Sequence, residues 1–357
     1  MRLLVSLSLA AALLASGAAL AQSAPGAKSE VEQQQQRSVD QPGNNAPVMR
    51  EIKSGQPQYT SIPGRETNVL VQPPARFLGQ SATVTAGEAW RQFRNGPVTF
   101  IGGWLVVGVG LVILAFYFVF GPVKLHGKPT GRLVRRFSTV DQVVHWSVAI
   151  SFCILGASGL IMLFGKHVLL PIIGYTLFAW LTSLGKNLHN FIAPFFIVSV
   201  IAMIVLYVRH NLPRLYDLNF LVNAIGVMTK GKHVPSGKFN GGEKVWFWGG
   251  VVVLSVIVSW SGLILLFPNF DQTRAMMQDA WIVHAVAALL YVSISFGHMY
   301  LGTIGLEGSY QAMRSGYVDE TWAKEHHEYW FHEVKLAERS APGGAVPAGA
   351  PHMKEKS

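Results

Sequence analysis

The sequence predicts an all-α membrane protein, a transmembrane bundle of four core helices with one extra span ahead of it. Three observations lead there. Half of the 357 residues are hydrophobic and 13% are charged, whereas soluble domains carry about 25% charged residues. The apolar residues gather in five long runs, each sufficient at about 1.5 Å per residue to cross a hydrocarbon core of about 30 Å. Histidines recur within or at the edges of those runs, where a polar side chain is costly unless it is paired.

Taken in order, residues 1–21 read as a secretory signal. Arg2 supplies the positive start, Leu3 to Leu14 the apolar stretch, and Ala19-Leu20-Ala21 a small-residue cleavage site before Gln22. Residues 22–98 are rich in Gln, Pro, Ser, Gly and Asn and lack periodicity, so a largely disordered periplasmic segment is expected. The stretch from Ala86 to Asn95, with Trp90 and Phe93, is expected to form a short interfacial helix. Residues 99–121 form the extra span. The four core spans, 141–164, 187–208, 245–267 and 280–303, lie in a domain covering 122–310, and residues 311–357 form a tail. A shorter run, Val168 to Leu184, contains Pro171 and reads as a re-entrant or interfacial piece.

The net charge of +10 could point to nucleic acid. The basic residues instead sit mainly in short connections between apolar runs, so the partner is membrane lipid. Lys124, Lys128, Arg132, Arg135 and Arg136 fill one connection; Arg209, Arg214, Lys230, Lys232, Lys238 and Lys244 fill another. The positive-inside rule puts both, and the tail, in the cytoplasm of a bacterial inner-membrane protein with an exported N-terminus. Arg91 and Arg94 run against that rule. The one cysteine, Cys153, supports no disulfide framework, Cys-type zinc site or iron–sulfur cluster. No nucleotide-binding loop or nucleophile motif stands out.

The chemistry lies in His145, His189, His284 and His298. His284 and His298 share the last span, 14 residues apart. Fourteen steps of about 100° return the second to within roughly 40° of the first, about 21 Å further along the axis. His189 matches the depth of His284, near the periplasm, and His145 that of His298, near the cytoplasm. Two facing imidazoles at each depth are suitable axial ligands for haem iron, giving two b haems. Zinc fits less well, because two ligands leave its tetrahedron incomplete. Ser158-Gly159 recurs as Ser261-Gly262. Such small residues admit either a flat macrocycle or a close helix neighbour. Arg135, Arg136 and Arg209 lie at a depth suited to haem propionates, though they also serve as topology markers. A haem-free anchor or transporter is the competing class.

Several segments carry a resemblance: Phe137 to Trp146, Leu188-His189, Arg209 to Pro213, Lys238 to Lys244, Ile282 to His284, Gly297 to Tyr300, and Trp322-Ala323-Lys324-Glu325-His326-His327. Over about residues 137–335 the chain is similar to the gamma subunit, cytochrome b556, of membrane-bound formate dehydrogenase. The histidine spacing alone also suits the cytochrome b of nickel–iron hydrogenase or thiosulfate reductase. The resemblance implies that the four histidines ligate two b haems. It also implies that a quinone, menaquinone or ubiquinone, binds near the cytoplasmic haem against Asn240 and Gly242. The implied partners are a catalytic subunit carrying molybdenum or tungsten and an iron–sulfur subunit, both periplasmic. Glu243 departs from relatives with a neutral amide there, which leaves a part in proton uptake open. On the residues alone, Phe239 to Lys244 is a tight turn before a helix.

Overall fold

A computed structural model of the chain describes residues 86–270 and 272–340. The expected signal peptide and most of the segment after it lie outside the described residues. Five helical stretches are long and apolar enough to cross a membrane: Gly87–Phe120, Thr139–Val168, Leu170–His210, Gly241–Leu266 and Arg274–Gly305. The transmembrane helix bundle expected from the sequence is therefore the observed architecture.

The first stretch joins α1 (Ala86–Phe93) to α2 (Thr99–Phe120) through a π-helical turn, Arg94–Val98. The separate interfacial helix expected at Ala86 to Asn95 is instead the start of this span. Pro97 inside the turn has no N–H to give the ladder, and the chain absorbs the defect by widening rather than breaking. The hydroxyl of Thr99 then donates to the Arg94 carbonyl at 2.7 Å.

The second and third spans, α3 (Thr139–Val168) and α4 (Leu170–Tyr207), form a tight antiparallel hairpin. Ser138 caps α3 reciprocally with Asp141. The run from Val168 to Leu184 is not re-entrant. Its first residues make the hairpin turn, Gly174 takes φ 74° and ψ 171°, and the remainder is the opening of the long α4 helix. Pro171 sits at a helix start, where its missing N–H costs nothing, and glycine tolerates the positive φ. Periodicity alone could not reveal that a turn and a helix shared one apolar run.

On the other side of α4, α5 (Leu215–Lys230) leads to α6 (Gly241–Trp246), a π-helical stretch Phe247–Leu254, and α7 (Ser255–Leu266). The fifth span is α8 (Arg274–Tyr300), extended by a π turn, Leu301–Gly305. α8 packs against α7 and α2. Lipid-side residues such as Phe118, Val198 and Trp260 are exposed, as a bilayer-facing surface requires.

Residues 309–340, most of them in the expected tail, form a folded cap after the last span. β1 (Leu133–Arg135) pairs antiparallel with β2 (Tyr317–Asp319), with Val134 opposite Val318. α9 (Ser309–Ser315) precedes β2; α10 (Glu320–His326) and α11 (Glu328–Ser340) follow it. Trp322 is buried and donates its indole N–H to the Glu307 carbonyl at 2.8 Å. Glu325 accepts from the amides of His126 and Gly127. The buried His327 has Nδ1 2.7 Å from the Gly237 carbonyl, tying the cap to the α5–α6 connection.

Candidate functional site

Two pairs of imidazoles sit inside the bundle. The rings of His189 on α4 and His284 on α8 have centroids 6.1 Å apart; those of His145 on α3 and His298 on α8 are 6.3 Å apart. The pairs match the depths deduced from the spacing, and the 14 residues between His284 and His298 separate them by about 21 Å along α8. Two metal–imidazole bonds of about 2 Å, with about 1.2 Å from nitrogen to ring centre at each end, put centroids about 6.4 Å apart. Each gap would therefore admit one metal ion between the facing imidazoles, so the residues fit a haem iron.

In the pair His189–His284, the outer one in the expected orientation, hydrogen-bond partners hold each Nδ1. The Ser158 hydroxyl donates to the Ile154 carbonyl at 2.7 Å, which leaves its oxygen to accept from His189 Nδ1 at 2.9 Å. The Ser261 hydroxyl likewise donates to the Ile257 carbonyl at 2.6 Å and lies 3.2 Å from His284 Nδ1. His284 Nδ1 is also 3.0 Å from the Val258 carbonyl, which can only accept. His284 thus carries its proton on Nδ1, facing the Val258 carbonyl, and keeps the Nε2 lone pair for a metal; the same tautomer of His189 suits Ser158.

Each glycine that follows these serines faces the same ring its serine holds. A Cβ on Gly159 would lie 3.6 Å from His189 Cε1, and one on Gly262 would lie 3.2 Å from His284 Cε1. The repeated Ser-Gly dipeptide is a seat, used once for each outer histidine. The sequence showed the repeat; only the helix packing shows which ring each copy serves.

Around the outer pair is a cavity of about 440 Å³, lined by Gly156, Gly159, Gly262 and mostly apolar side chains. That is the size and character of a prosthetic-group pocket. Two charged groups also line it, Arg94 from the turn between α1 and α2 and Lys186 on α4. Sequence reasoning set Arg94 aside as an orientation anomaly; its position against the pocket was not signalled by any motif.

The inner pair is held differently. His145 Nδ1 is buried without a hydrogen-bond partner among the described residues. Trp246 stacks on His298 at 4.8 Å with planes 12° apart. Tyr291 contacts both Trp246 and Phe152, so aromatic rings fill the layer between the two pairs.

Asn240 is the N-cap of α6. Its side chain accepts from the Glu243 amide at 2.9 Å, and Glu243 accepts from the Asn240 amide at 2.8 Å. The turn reading of this segment is thus satisfied by a capping box. Gly241 is held because a Cβ there would press on the Asp217 carbonyl, and Gly242 faces Phe220 and the Asn240 side chain. One helical turn later comes Trp246, against His298. Glu243 also pairs with Arg136 at 3.0 Å. Arg136 is buried, donates to the Lys238 carbonyl at 2.8 Å, and lies over the rings of Phe137, Phe239 and Trp322. Of the arginines that the sequence offers to propionates, Arg136 is therefore engaged by Glu243 of α6, the Lys238 carbonyl and Trp322 of the cap, and Arg135 sits exposed on β1.

Comparison with known proteins agrees with this chemistry. Residues 136–316 match the family model described as prokaryotic cytochrome b561. The chain is 29% identical over 217 residues to the cytochrome b556(Fdn) subunit of the nitrate-inducible formate dehydrogenase of Escherichia coli K12. That alignment covers 58% of this chain and 94% of the relative. It is 29% identical over 210 residues to the cytochrome b556(fdo) subunit of formate dehydrogenase from the same strain, covering 58% and 96%. The Haemophilus influenzae formate dehydrogenase cytochrome b556 subunit is 25% identical over 213 residues, covering 57% and 84%.

Proposed function

Because the chain belongs to the prokaryotic cytochrome b561 family, we propose that it is the membrane cytochrome b subunit of a formate dehydrogenase, passing electrons from a periplasmic iron–sulfur subunit to quinone near the cytoplasmic face. The observation that carries the reading is the two imidazole pairs, at 6.1 and 6.3 Å, stacked along one bundle. The formate dehydrogenase relatives supply the choice of complex.

In this reading His189 and His284 hold one b haem, and His145 and His298 hold the other. When bound, haem b supplies one-electron carriage. The chain's own residues do the rest. Ser158 and Ser261 fix the outer imidazoles with Nε2 free. Gly159 and Gly262 leave room beside them. The apolar walls exclude water from the pocket, and Trp246 fixes the plane of the His298 ring.

Quinone would bind against the α6 N-terminus, where Asn240 and Gly242 lie one turn before Trp246. The partners would be the periplasmic iron–sulfur subunit and a catalytic subunit containing molybdenum or tungsten. The loops rich in Lys and Arg support an orientation with the α5–α6 connection and the cap in the cytoplasm. Protons for quinone reduction would then come from the cytoplasm. Glu243 is held by the Asn240 amide and Arg136, so its role there is to fix the turn.

The test is a reduced-minus-oxidised spectrum with pyridine haemochrome quantitation, followed by formate-to-quinone electron transfer with partner subunits. About two b haems per chain, about one in His298→Ala, and quinone reduction dependent on formate are expected. A folded wild-type protein with no haem ends the cytochrome reading. Two haems that formate never reduces in the complex would remove the assignment to formate dehydrogenase.

A further inference from the structure

The helix that precedes the family domain also has a place at the outer pocket. We propose that the turn between α1 and α2 closes one end of that pocket through Arg94, and that Arg94 with Lys186 binds the two carboxylates of the macrocycle seated between His189 and His284. The inference rests on the haem reading given above and assigns a role to a segment outside the 136–316 match.

The charge pattern of the cavity comes first. Arg94 and Lys186 line it, and no aspartate or glutamate is among its lining residues. Arg94 is half-buried and Lys186 exposed at the cavity's rim; a guanidinium partly withdrawn from water beside apolar walls is costly unless an anion answers it. A b-type macrocycle carries two propionates, so two cations match two carboxylates. Arginine suits a planar carboxylate because its donors form a fork.

Position is the second argument. α4 and α8 run in the same direction. His189 faces His284 at one level, while further along α8 His298 faces His145, and at the far end of α4 the Tyr207 hydroxyl donates to the Asp141 carbonyl near His145. Lys186 precedes His189 by one turn. The Arg94 guanidinium lies 4.8 Å from the ring of Trp281, which precedes His284 by one turn. Both cations therefore sit beyond the same end of the outer pair. The two propionates of a haem leave from one edge of the ring, which is the arrangement two cations at one end would meet.

The third argument is that Arg94 is held in place yet incompletely satisfied. Its Nε is buried with no hydrogen-bond partner among the described residues. Its guanidinium lies 5.6 Å from the Trp90 ring and 4.8 Å from the Trp281 ring, two indoles set edge to face, and the Trp90 indole donates to the Gln278 carbonyl at 3.1 Å. Gly102 lets α2 close directly onto Leu289 of α8. The π turn at Arg94–Val98 belongs to this same contact, since it sets the direction in which residue 94 leaves the helix.

The experiment uses the full-length protein purified with its haems: wild type, Arg94→Gln, Arg94→Lys and Lys186→Gln. Haem per chain and the midpoint potential of each b haem are measured, each across pH. In Arg94→Gln, haem content is expected to fall from about two toward one per chain. Any outer haem retained should have a lowered midpoint, because removing a nearby cation favours the oxidised, more positive iron. Arg94→Lys should restore most of the haem, and Lys186→Gln should lower the same midpoint. The inner haem, unchanged, reports that the bundle is folded. Two haems in Arg94→Gln with wild-type midpoints and pH dependence would overturn the proposal and leave Arg94 as a packing residue. If Arg94→Gln loses both haems, an unchanged outer midpoint in Lys186→Gln overturns it instead. A haem-free wild-type protein would remove the underlying cytochrome reading, a result distinct from all of these.

Discussion

Ser158 and His189 are 31 residues apart in sequence, yet the serine hydroxyl oxygen lies 2.9 Å from the imidazole Nδ1. The hairpin of α3 and α4 creates that contact, and the serine's own bond to Ile154 settles which partner accepts. A hydrogen bond from Nδ1–H makes Nε2 a stronger donor to metal and fixes the ring.

Ser158→Ala should therefore weaken outer haem retention by about tenfold, the lower end of the usual cost of losing such a partner. The outer midpoint should rise, because a less basic ligand stabilises oxidised iron less. Ser261→Ala should do less, since His284 retains the Val258 carbonyl. Redox titration and low-temperature EPR of the two variants check this; equal effects would contradict the unequal seats.

The two seat glycines should also behave differently. A Cβ at Gly159 would meet His189 at an ordinary 3.6 Å, but one at Gly262 would meet His284 at 3.2 Å. Gly159→Ala is expected to keep both haems. Gly262→Val is expected to displace the His284 ring and leave about one haem per chain, read by pyridine haemochrome.

Lys244 and Asp217 form a buried ion pair at 2.8 Å, with side chains 6% and 9% exposed. Asp217 also accepts from the Arg214 amide at the start of α5. Removing one partner strands the other, at a cost of about 3–5 kcal/mol. Lys244→Met should lower the unfolding temperature in detergent, and adding Asp217→Asn should recover much of the loss.

The cap should weaken in acid. Burial holds His326 down to about 4 and His327 well below the usual histidine value. The unfolded cap takes up protons at ordinary histidine values, near 6.5, while the folded cap does not, so stability rises with pH across that interval. It is fully present above about pH 6.5 and is lost progressively as pH falls toward 4. Hydrogen exchange of the segment 317–330, corrected for the intrinsic pH effect, should show protection at pH 7.5 and its loss near pH 5.

Much of the bundle was legible in the sequence because lipid imposes long apolar runs, and a buried histidine repeated at 14 residues has few bland explanations. The structure sets His189 beside His284 and His145 beside His298, the neighbours expected from their positions along the spans. Other features needed coordinates. The turn at Gly174 was hidden inside a continuous apolar run. The cap was read as a tail because Trp322 and His327 bury themselves against residues far away in sequence, Glu307 and Gly237. Arg94 carried no signal, since its neighbours across the pocket come from α4 and α8. The Ser-Gly repeat was visible, but its purpose lay in which helix each copy faced.

The pairing of β1 with β2 also sets an order of events during synthesis. Val134 is made before any core span, whereas its partner Val318 follows the last one. Contacts this distant in sequence form late. Until the ribosome has delivered residue 319, β1 has no partner strand. A chain truncated before Tyr317 would leave Leu133 to Arg135 unpaired, so the C-terminal strand works as the final latch of the sheet.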